Sequence, residues 1–474
     1  MYNRVMRPSK LQRIETDVVV VGSGPGGATV ARGLARAGRK VTLLERGKDY
    51  RPWALYGTYP GALIYTDRSA LLFTREGLNI IRPLMAGGAT SMYCGCSSRP
   101  PAWLKEQYGL DLDRFVDETI TELKIAPLPP ELRGAASTRI AEAAGALGYD
   151  WHPLDKFMNP ARTPHFDCGA KCMLGCRCGA KWNAAEWIDE AVVAGCEFLT
   201  EAKVEALTIE NNKVVGVQGR RKGKPFEIHA RAVVLAAGGI GSPLLLQRAG
   251  LASAGQGIGM DTTVIVYGAS RFAERGNGKE PPMTYAWAND QVGYMLSTLI
   301  DPWLMYPLIT ALKGWRYPLT WPRWGNTLGV MIKLKDEVSG HVTTERNISK
   351  PFTPKDQAKL NHAAGVARQI LIEAGANAAS IFITPMRGTH PCATVRVGGL
   401  LDHNLQTEIE NLYVCDASAF PEALARPTVL TIIGLGKRLV EHLLTRLPPS
   451  MIHPAQAAHA PPHHSPPPPQ LHPP

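Results

Sequence analysis

The chain has 474 residues, 45% of them hydrophobic and 20% charged, with a formal charge of +11. That length and apolar share support a large core in two or three folding units, and they set aside a disordered chain or a small disulfide-stapled one. The positive charge is diffuse, with no basic run alternating with stacking aromatics. Nucleic-acid binding is therefore not expected, whereas an anionic lipid surface or an acidic partner suits the charge.

Before Asp17 there are basic residues but no apolar run, and no segment reaches the ~20 apolar residues of a spanning helix. The nine cysteines are odd in number and clustered. The expectation is a reduced, cytoplasmic protein, with peripheral membrane contact allowed by its charge.

Residues 17–47 read DVVVVGSGPGGATVARGLARAGRKVTLLERG. A valine strand runs into Gly22, Gly24 and Gly27, a helix follows, and a second strand ends at Glu45. A glycine triplet between strand and helix, with an acid about 20 positions on, is the fingerprint of a dinucleotide site. Gly22 makes the tight turn, Gly24 admits the pyrophosphate, and Gly27 lets helix and strand close up. Glu45 is expected to hydrogen-bond a ribose.

Residues 168–181 read CGAKCMLGCRCGAK. The spacing C-x3-C-x3-C-x-C matches neither a zinc ribbon nor a bacterial ferredoxin run. Two readings stay open: thiolates around a metal or iron–sulfur cluster, or small apolar side chains in a tight loop.

A strand, glycine turn and helix recur at 231–248 (RAVVLAAGGIGSPLLLQR). Residues 301–326 (DPWLMYPLITALKGWRYPLTWPRWGN) hold four of the ten tryptophans beside Lys and Arg. They suit either a lid or membrane-facing mouth, or a hairpin packing its own core. Residues 328–343 alternate like strands about a turn and suit the wall of a substrate domain. Residues 411–443 give a strand ending at Asp416, then a long helix, and Asp416 is expected to bond a ribityl or phosphate-bearing cofactor. From 448 to 474 the chain is Pro, His and Ala, a composition for a disordered tail.

Four blocks carry a family resemblance: GSGPGG with Glu45, MAGGATSMYCG (85–95), AAGGIGSPLLLQRAGL (236–251) and GTHPCATVRVGGLLDHNLQTEIENLYVCDASAFP (388–421). Together they resemble the glucose–methanol–choline (GMC) family of FAD oxidoreductases over nearly all of the chain but the tail. The resemblance implies an α/β architecture. A discontinuous Rossmann-like FAD-binding domain (12–95, 183–260 and 388–447) would hold an inserted α+β substrate domain with an antiparallel sheet (96–182 and 261–387).

Gly87 and Gly88 match the flavin-contact loop, and Val204 the position whose backbone meets adenine. His390 matches the base that takes a hydroxyl proton while hydride passes to flavin N5. At the second active-site position Arg426 stands where the family carries Asn or His. A fixed cation there would stabilise reduced flavin, grip a substrate carboxylate or phosphate, or swing out to a surface acid.

The segment CMLGCRCGAK resembles both cholesterol-oxidase-like members and dehydrogenase subunits with an iron–sulfur cluster, with Cys168, Cys172 and Cys176 as the implied ligands. The expected function is hydride transfer from a small-molecule alcohol, apolar or carboxylate-bearing, to FAD, and onward to a cluster, an electron-acceptor protein or another non-oxygen acceptor. An oxidase using oxygen, a reductase or desaturase on C–C bonds, and a non-catalytic electron-transfer subunit are the alternatives.

Overall fold

The computed structural model describes residues 12–272, 280–311, 314 and 317–448. Apart from Pro448, the tail expected at 448–474 lies outside the described residues. β1 (Gln12–Val21) is buried from Thr16 onward. β-Branched valines on both of its faces suit a central strand covered on each side. α1 (Pro25–Arg36) starts with proline in its first turn, where the missing N–H costs nothing. It buries Ala28, Val30, Ala31, Leu34 and Ala35. β2 (Val41–Leu44) then pairs parallel with β1.

The chain re-enters this sheet at α2 (Ala184–Val193), whose capping box joins Asn183 to Glu186. β3 (Glu197–Leu199) lies beside β2. An antiparallel ribbon follows, made of β4 (Ala202–Glu210), β5 (Lys213–Arg221) and β6 (Lys224–Leu235). β6 pairs parallel with β1 from Phe226 to Leu235, and α3 (Gly238–Arg248) leaves its end. The strand order is β3-β2-β1-β6-β5-β4.

A second, antiparallel sheet contains β7 (Thr263–Ala269), β8 (Tyr285–Asn289), β9 (Tyr294–Thr298) and β10 (Thr327–Leu334), in the order β7-β10-β9-β8. Its alternation divides two environments. Val264, Val266, Leu328, Val330 and Ile332 share a core with α4 (Pro354–Glu373) and the helix Ala135–Ala146. Ile265, Tyr267, Met295 and Met331 share the opposite one with Tyr306. Lys333, one strand step from Ile332 and opposite Thr263 in the register, belongs to this second face.

The last pieces are β11 (Leu412–Val414), parallel to β6 at Val233–Leu235, and α5 (Val429–Arg446), packed along α1. Strands from both ends of the chain thus build one sheet, as the Rossmann-like expectation requires. The cut expected at 95/96 does not follow the core. Helices Ala102–Tyr108 and Asp113–Leu123, with the cap residue Leu112 between them, bury Leu104, Leu112 and Val116 in the first sheet's core, and Leu112 and Val116 lie beside Gly434 of α5.

The tryptophan-rich segment forms a short helix, Met305–Ala311, and a 3-10 stretch, Tyr317–Asn326. It packs its own aromatics: Trp324 Nε1 donates to the Asp301 carbonyl at 3.0 Å and Trp321 Nε1 to Thr310 Oγ1 at 2.9 Å. Trp303, Leu304 and Leu308 remain exposed. Among the described residues no helix is long and apolar enough to cross a membrane.

Candidate active site

The glycine turn between β1 and α1 opens on a cavity of about 250 Å³. Its wall includes Gly22, Gly24, Glu45, Gly88, Val204, His390 and Asp416. Gly87 and Gly27 stand behind it. A Cβ on Gly87 would lie 1.9 Å from Asn183 Oδ1, and one on Gly27 1.9 Å from the Gly22 carbonyl oxygen. Both therefore serve packing, while Gly88 lies against Gly24 on the cavity side.

The residues present fit a dinucleotide. α1 has no side-chain cap and no acid in its first turn, so its N-terminal N–H groups point at the cavity unpaired by side chains. A Cβ built on Gly24 meets no protein atom within 4 Å, although Gly24 lines the cavity, so it marks space left for a ligand. Glu45 is buried in the wall; its Oε2 accepts from Ser23 Oγ at 2.6 Å and its Oε1 from Gly47 N–H at 2.8 Å. Burial pushes its carboxyl above the usual range, against those hydrogen bonds. Arg82, which the sequence reading passed over, also lines the cavity and is held by Asp67 at 3.2 Å. A cation beside an open helix N-terminus suits a diphosphate.

Asp416 is differently employed from what its position suggested. One oxygen accepts from Gly238 N–H (2.8 Å) and Ser242 Oγ (2.6 Å), the other from Ser418 N–H (2.8 Å) and Ser418 Oγ (2.5 Å). All four acceptor positions of a carboxylate are taken. Asp416 clips the start of α3 to the end of β11 before it touches any ligand.

His390 sits on the cavity wall with about a quarter of its side chain exposed, and its Nδ1 lies 2.7 Å from Oδ2 of Asp261. Asp261 is fully buried, and its other oxygen accepts the Ala425 N–H at 2.7 Å. A carboxylate only accepts, so Nδ1 carries the proton and Nε2 is left as a base. Asp261 holds this aim from a left-handed backbone position, φ 47°, which strains a non-glycine residue. The ring's protein surroundings and the charge of Lys333 pull the His390 pKa below its ordinary value, against the opposing pull of Asp261.

Arg426 is not in the cavity wall. The chain turns at Ala425 (φ 55°), Arg426 Nε donates to the Leu424 carbonyl at 3.3 Å, and the guanidinium pairs with Asp290 on the turn between β8 and β9. Of the roles open to Arg426, this is the swing out to an acid, and the residue braces the C-terminal block against the second sheet.

The expected cluster is likewise not formed. Among the described residues no three His, Cys, Asp or Glu converge as ligands. Cys168 and Cys172 are buried with Leu128 and Met158, while Cys176 and Cys178 form a separate pair with sulfurs 3.7 Å apart. A hydrogen bond with Cys168, then burial, pushes the Cys172 thiol well up. The Lys181 ammonium donates to the carbonyls of Ser91, Tyr93 and Cys172. Cys168 and Cys172 thus pack within this loop, Cys176 and Cys178 sit at its turn, and Lys181 ties it to residues 85–95.

Comparison with known proteins follows this geometry. A family model described as GMC oxidoreductase matches residues 64–264, and a second of that description matches 349–436. A NAD(P)-binding Rossmann-like domain model matches 20–81. An uncharacterised GMC-type oxidoreductase of Mycobacterium tuberculosis is 33% identical over 257 residues, covering 50% of this chain and 39% of that protein. A long-chain-alcohol oxidase of Arabidopsis thaliana is 25% identical over 499 residues, covering 89% of this chain and 66% of that protein. The crystal structure of pyridoxine 4-oxidase from Mesorbium loti superposes with a TM-score of 0.65 at 16% identity, covering 90% of this chain and 99% of the other. That likeness is one of fold. The two GMC models together match well over half of the sequence, on a fold whose late strand and helix close the sheet begun at residue 12, and the chain belongs to the GMC oxidoreductase family.

Proposed function

We propose that this chain is an FAD-dependent oxidoreductase that oxidises the CH–OH group of an alcohol, with His390 as the base. The observation that carries the reading is the Asp261–His390 pair, which leaves a neutral Nε2 at a cavity lined by a dinucleotide fingerprint. FAD, when bound, supplies the hydride acceptor. The N-terminus of α1, Gly24, Glu45 and Arg82 would hold it. Asp261 fixes the tautomer and direction of the imidazole, and Nε2 takes the hydroxyl proton.

For the substrate class, the name of the Arabidopsis relative points to a long-chain alcohol. With Arg426 paired to Asp290, it is not free to polarise a substrate carboxylate or carbonyl, as a reductase on C–C bonds would need. With no convergent thiolates among the described residues, an onward cluster relay has no support here.

The test is anaerobic bleaching of the bound flavin by 1-butanol, 1-octanol, 1-dodecanol and 1-hexadecanol. Bleaching that quickens with chain length is expected, and a rate that falls as pH drops through a value below 6.5, because the neutral imidazole is the active form. No bleaching by any alcohol sinks the proposal. Hydrogen peroxide yield in air then separates oxygen from an acceptor protein as the electron sink.

We extend the reading to peripheral membrane contact. Leu63 and Ile64 are exposed on the helix Tyr59–Tyr65, beside exposed Leu304, whose N–H donates to Tyr59 Oη at 3.3 Å. Apolar side chains on a basic protein suit an anionic interface. Flotation with phosphatidylglycerol vesicles, lost on Ile64→Asp with Leu304→Asp, is the expected result; flotation by the doubly substituted protein removes it.

A further inference from the structure

Behind His390 lies a cation that the reaction as described does not use. Lys333 of β10 is 3% exposed. Its ammonium donates to Thr389 Oγ1 at 2.6 Å and, more weakly, to Thr263 Oγ1 at 3.4 Å. Both threonine hydroxyls lie against the Asp261 carbonyl, at 3.0 and 2.9 Å. Thr389 and His390 in turn donate their N–H groups to the Met260 carbonyl, at 3.0 and 2.9 Å. A buried ammonium is costly, and one on the second sheet gains nothing by reaching across to the histidine's own loop unless that loop needs the charge or the hydrogen bond.

We propose that Lys333 is a positioning residue for His390: through Thr389 it fixes the turn that presents the imidazole, and its charge keeps the imidazole in its base form. The proposal rests on the reading of His390 as the base. Asp261 alone would favour the imidazolium, since an opposite charge 2.7 Å away stabilises a cation. Lys333 opposes that effect while leaving the Asp261–Nδ1 hydrogen bond in place. The carboxylate can then orient the ring without locking a proton on Nε2.

Other charged and titratable groups around the pair are otherwise committed. Arg387, on the strand beside β7, is bidentate to Asp301 at 2.7 and 2.8 Å. Asp336 accepts from Met260 N–H, Thr262 N–H and Thr262 Oγ1 and faces Lys350. Cys94 and Cys96 approach Lys333 from the 85–96 loop, and burial pushes both thiols up, toward their neutral forms. Cys392, whose thiol burial pushes well up, faces both Asp261 and Lys333, and Asp261 and His390 complete the set. Burial draws the lysine's own pKa down, against Asp261, so its charge is the part of the network that high pH removes first.

The test is the titration of His390 itself, read by NMR in holoenzyme carrying 13C-labelled histidine, with the resonance identified by its loss in His390→Asn. In Lys333→Met the His390 midpoint is expected to rise by about one pH unit, and in Lys333→Arg, which keeps the cation, to stay near wild type. Should the methionine variant not fold, Lys333→Gln is neutral and polar and is read in the same way. The acid limb of alcohol-driven flavin bleaching is expected to move with the midpoint. A midpoint unmoved in the neutral variant overturns the proposal, whatever the activity. A midpoint that moves in protein that oxidises no alcohol upholds the role of Lys333 and sinks the alcohol reading instead.

Discussion

Replacing His390 by glutamine is expected to slow alcohol-driven flavin reduction by about 10²–10⁴-fold with the flavin still bound, the usual contribution of a positioned general base. The direction follows from the geometry. Glutamine preserves a polar side chain of similar reach and can still donate to Asp261, which would otherwise be left buried and unpaired on that side. It cannot accept and hold a proton at neutral pH. The variant therefore separates orientation from proton removal. Flavin content should match wild type, because the groups proposed to hold the cofactor, the N-terminus of α1, Glu45 and Arg82, are left unchanged. Stopped-flow reduction of the bound flavin checks the rate, and the visible spectrum checks occupancy. Reduction within a few-fold of wild type would remove His390 from the chemistry and return the question to what the cavity binds.

How far the sequence reaches depends on how local the signal is. GSGPGG, its flanking valine strand and Glu45 are legible because a strand, a turn and a helix N-terminus are fixed by neighbours along the chain. His390 is legible through the resemblance of its block. Asp261, which orients it, is 129 positions away. It sits on no motif, and only the packing of the Met260–Thr262 segment against 389–390 brings the two together. Lys333 carried a usable signal. In TLGVMIKL the alternation puts it and Met331 on one face and Ile332 on the other, but a period of two cannot say which face meets the cofactor domain.

For Arg426 and the cysteine loop, side-chain aim is set by backbone turns that the residue types do not announce. The positive φ at Ala425 turns the backbone so that the guanidinium meets Asp290, the acid-paired alternative among the roles open to it. The four cysteines of 168–178 are close in sequence, and closeness does not aim side chains. Gly169, Gly175 and Gly179 all take positive φ, and the sulfurs end in two separate pairs.

Two glycines of the fingerprint are expected to fail in opposite ways, and this is the larger effect on the folded state. Gly24→Ala should leave the apoprotein's melting temperature nearly unchanged and empty the protein of flavin. Its backbone has φ −68°, which alanine adopts freely, and its Cβ meets no protein atom within 4 Å. The methyl group would occupy only the space that a pyrophosphate needs. Gly26→Ala should instead damage the fold. Its Cβ would lie 1.9 Å from the Cys415 carbonyl oxygen and 3.2 Å from Ile432 Cγ2. The first contact is with backbone at the end of β11, so no rotamer relieves it, and α1 must move off the strand and α5. Overpacking a core costs about 1–3 kcal/mol where side chains can yield, and a backbone contact belongs at or above the top of that range. Thermal melts of the two apoproteins, with flavin content measured on the same preparations, check the pair. A Gly26→Ala melt equal to wild type would mean that α1 and β11 are not packed as described. A Gly24→Ala protein that keeps its flavin would mean that the pyrophosphate does not lie over this turn, and the cofactor assignment of the whole cavity would fall with it.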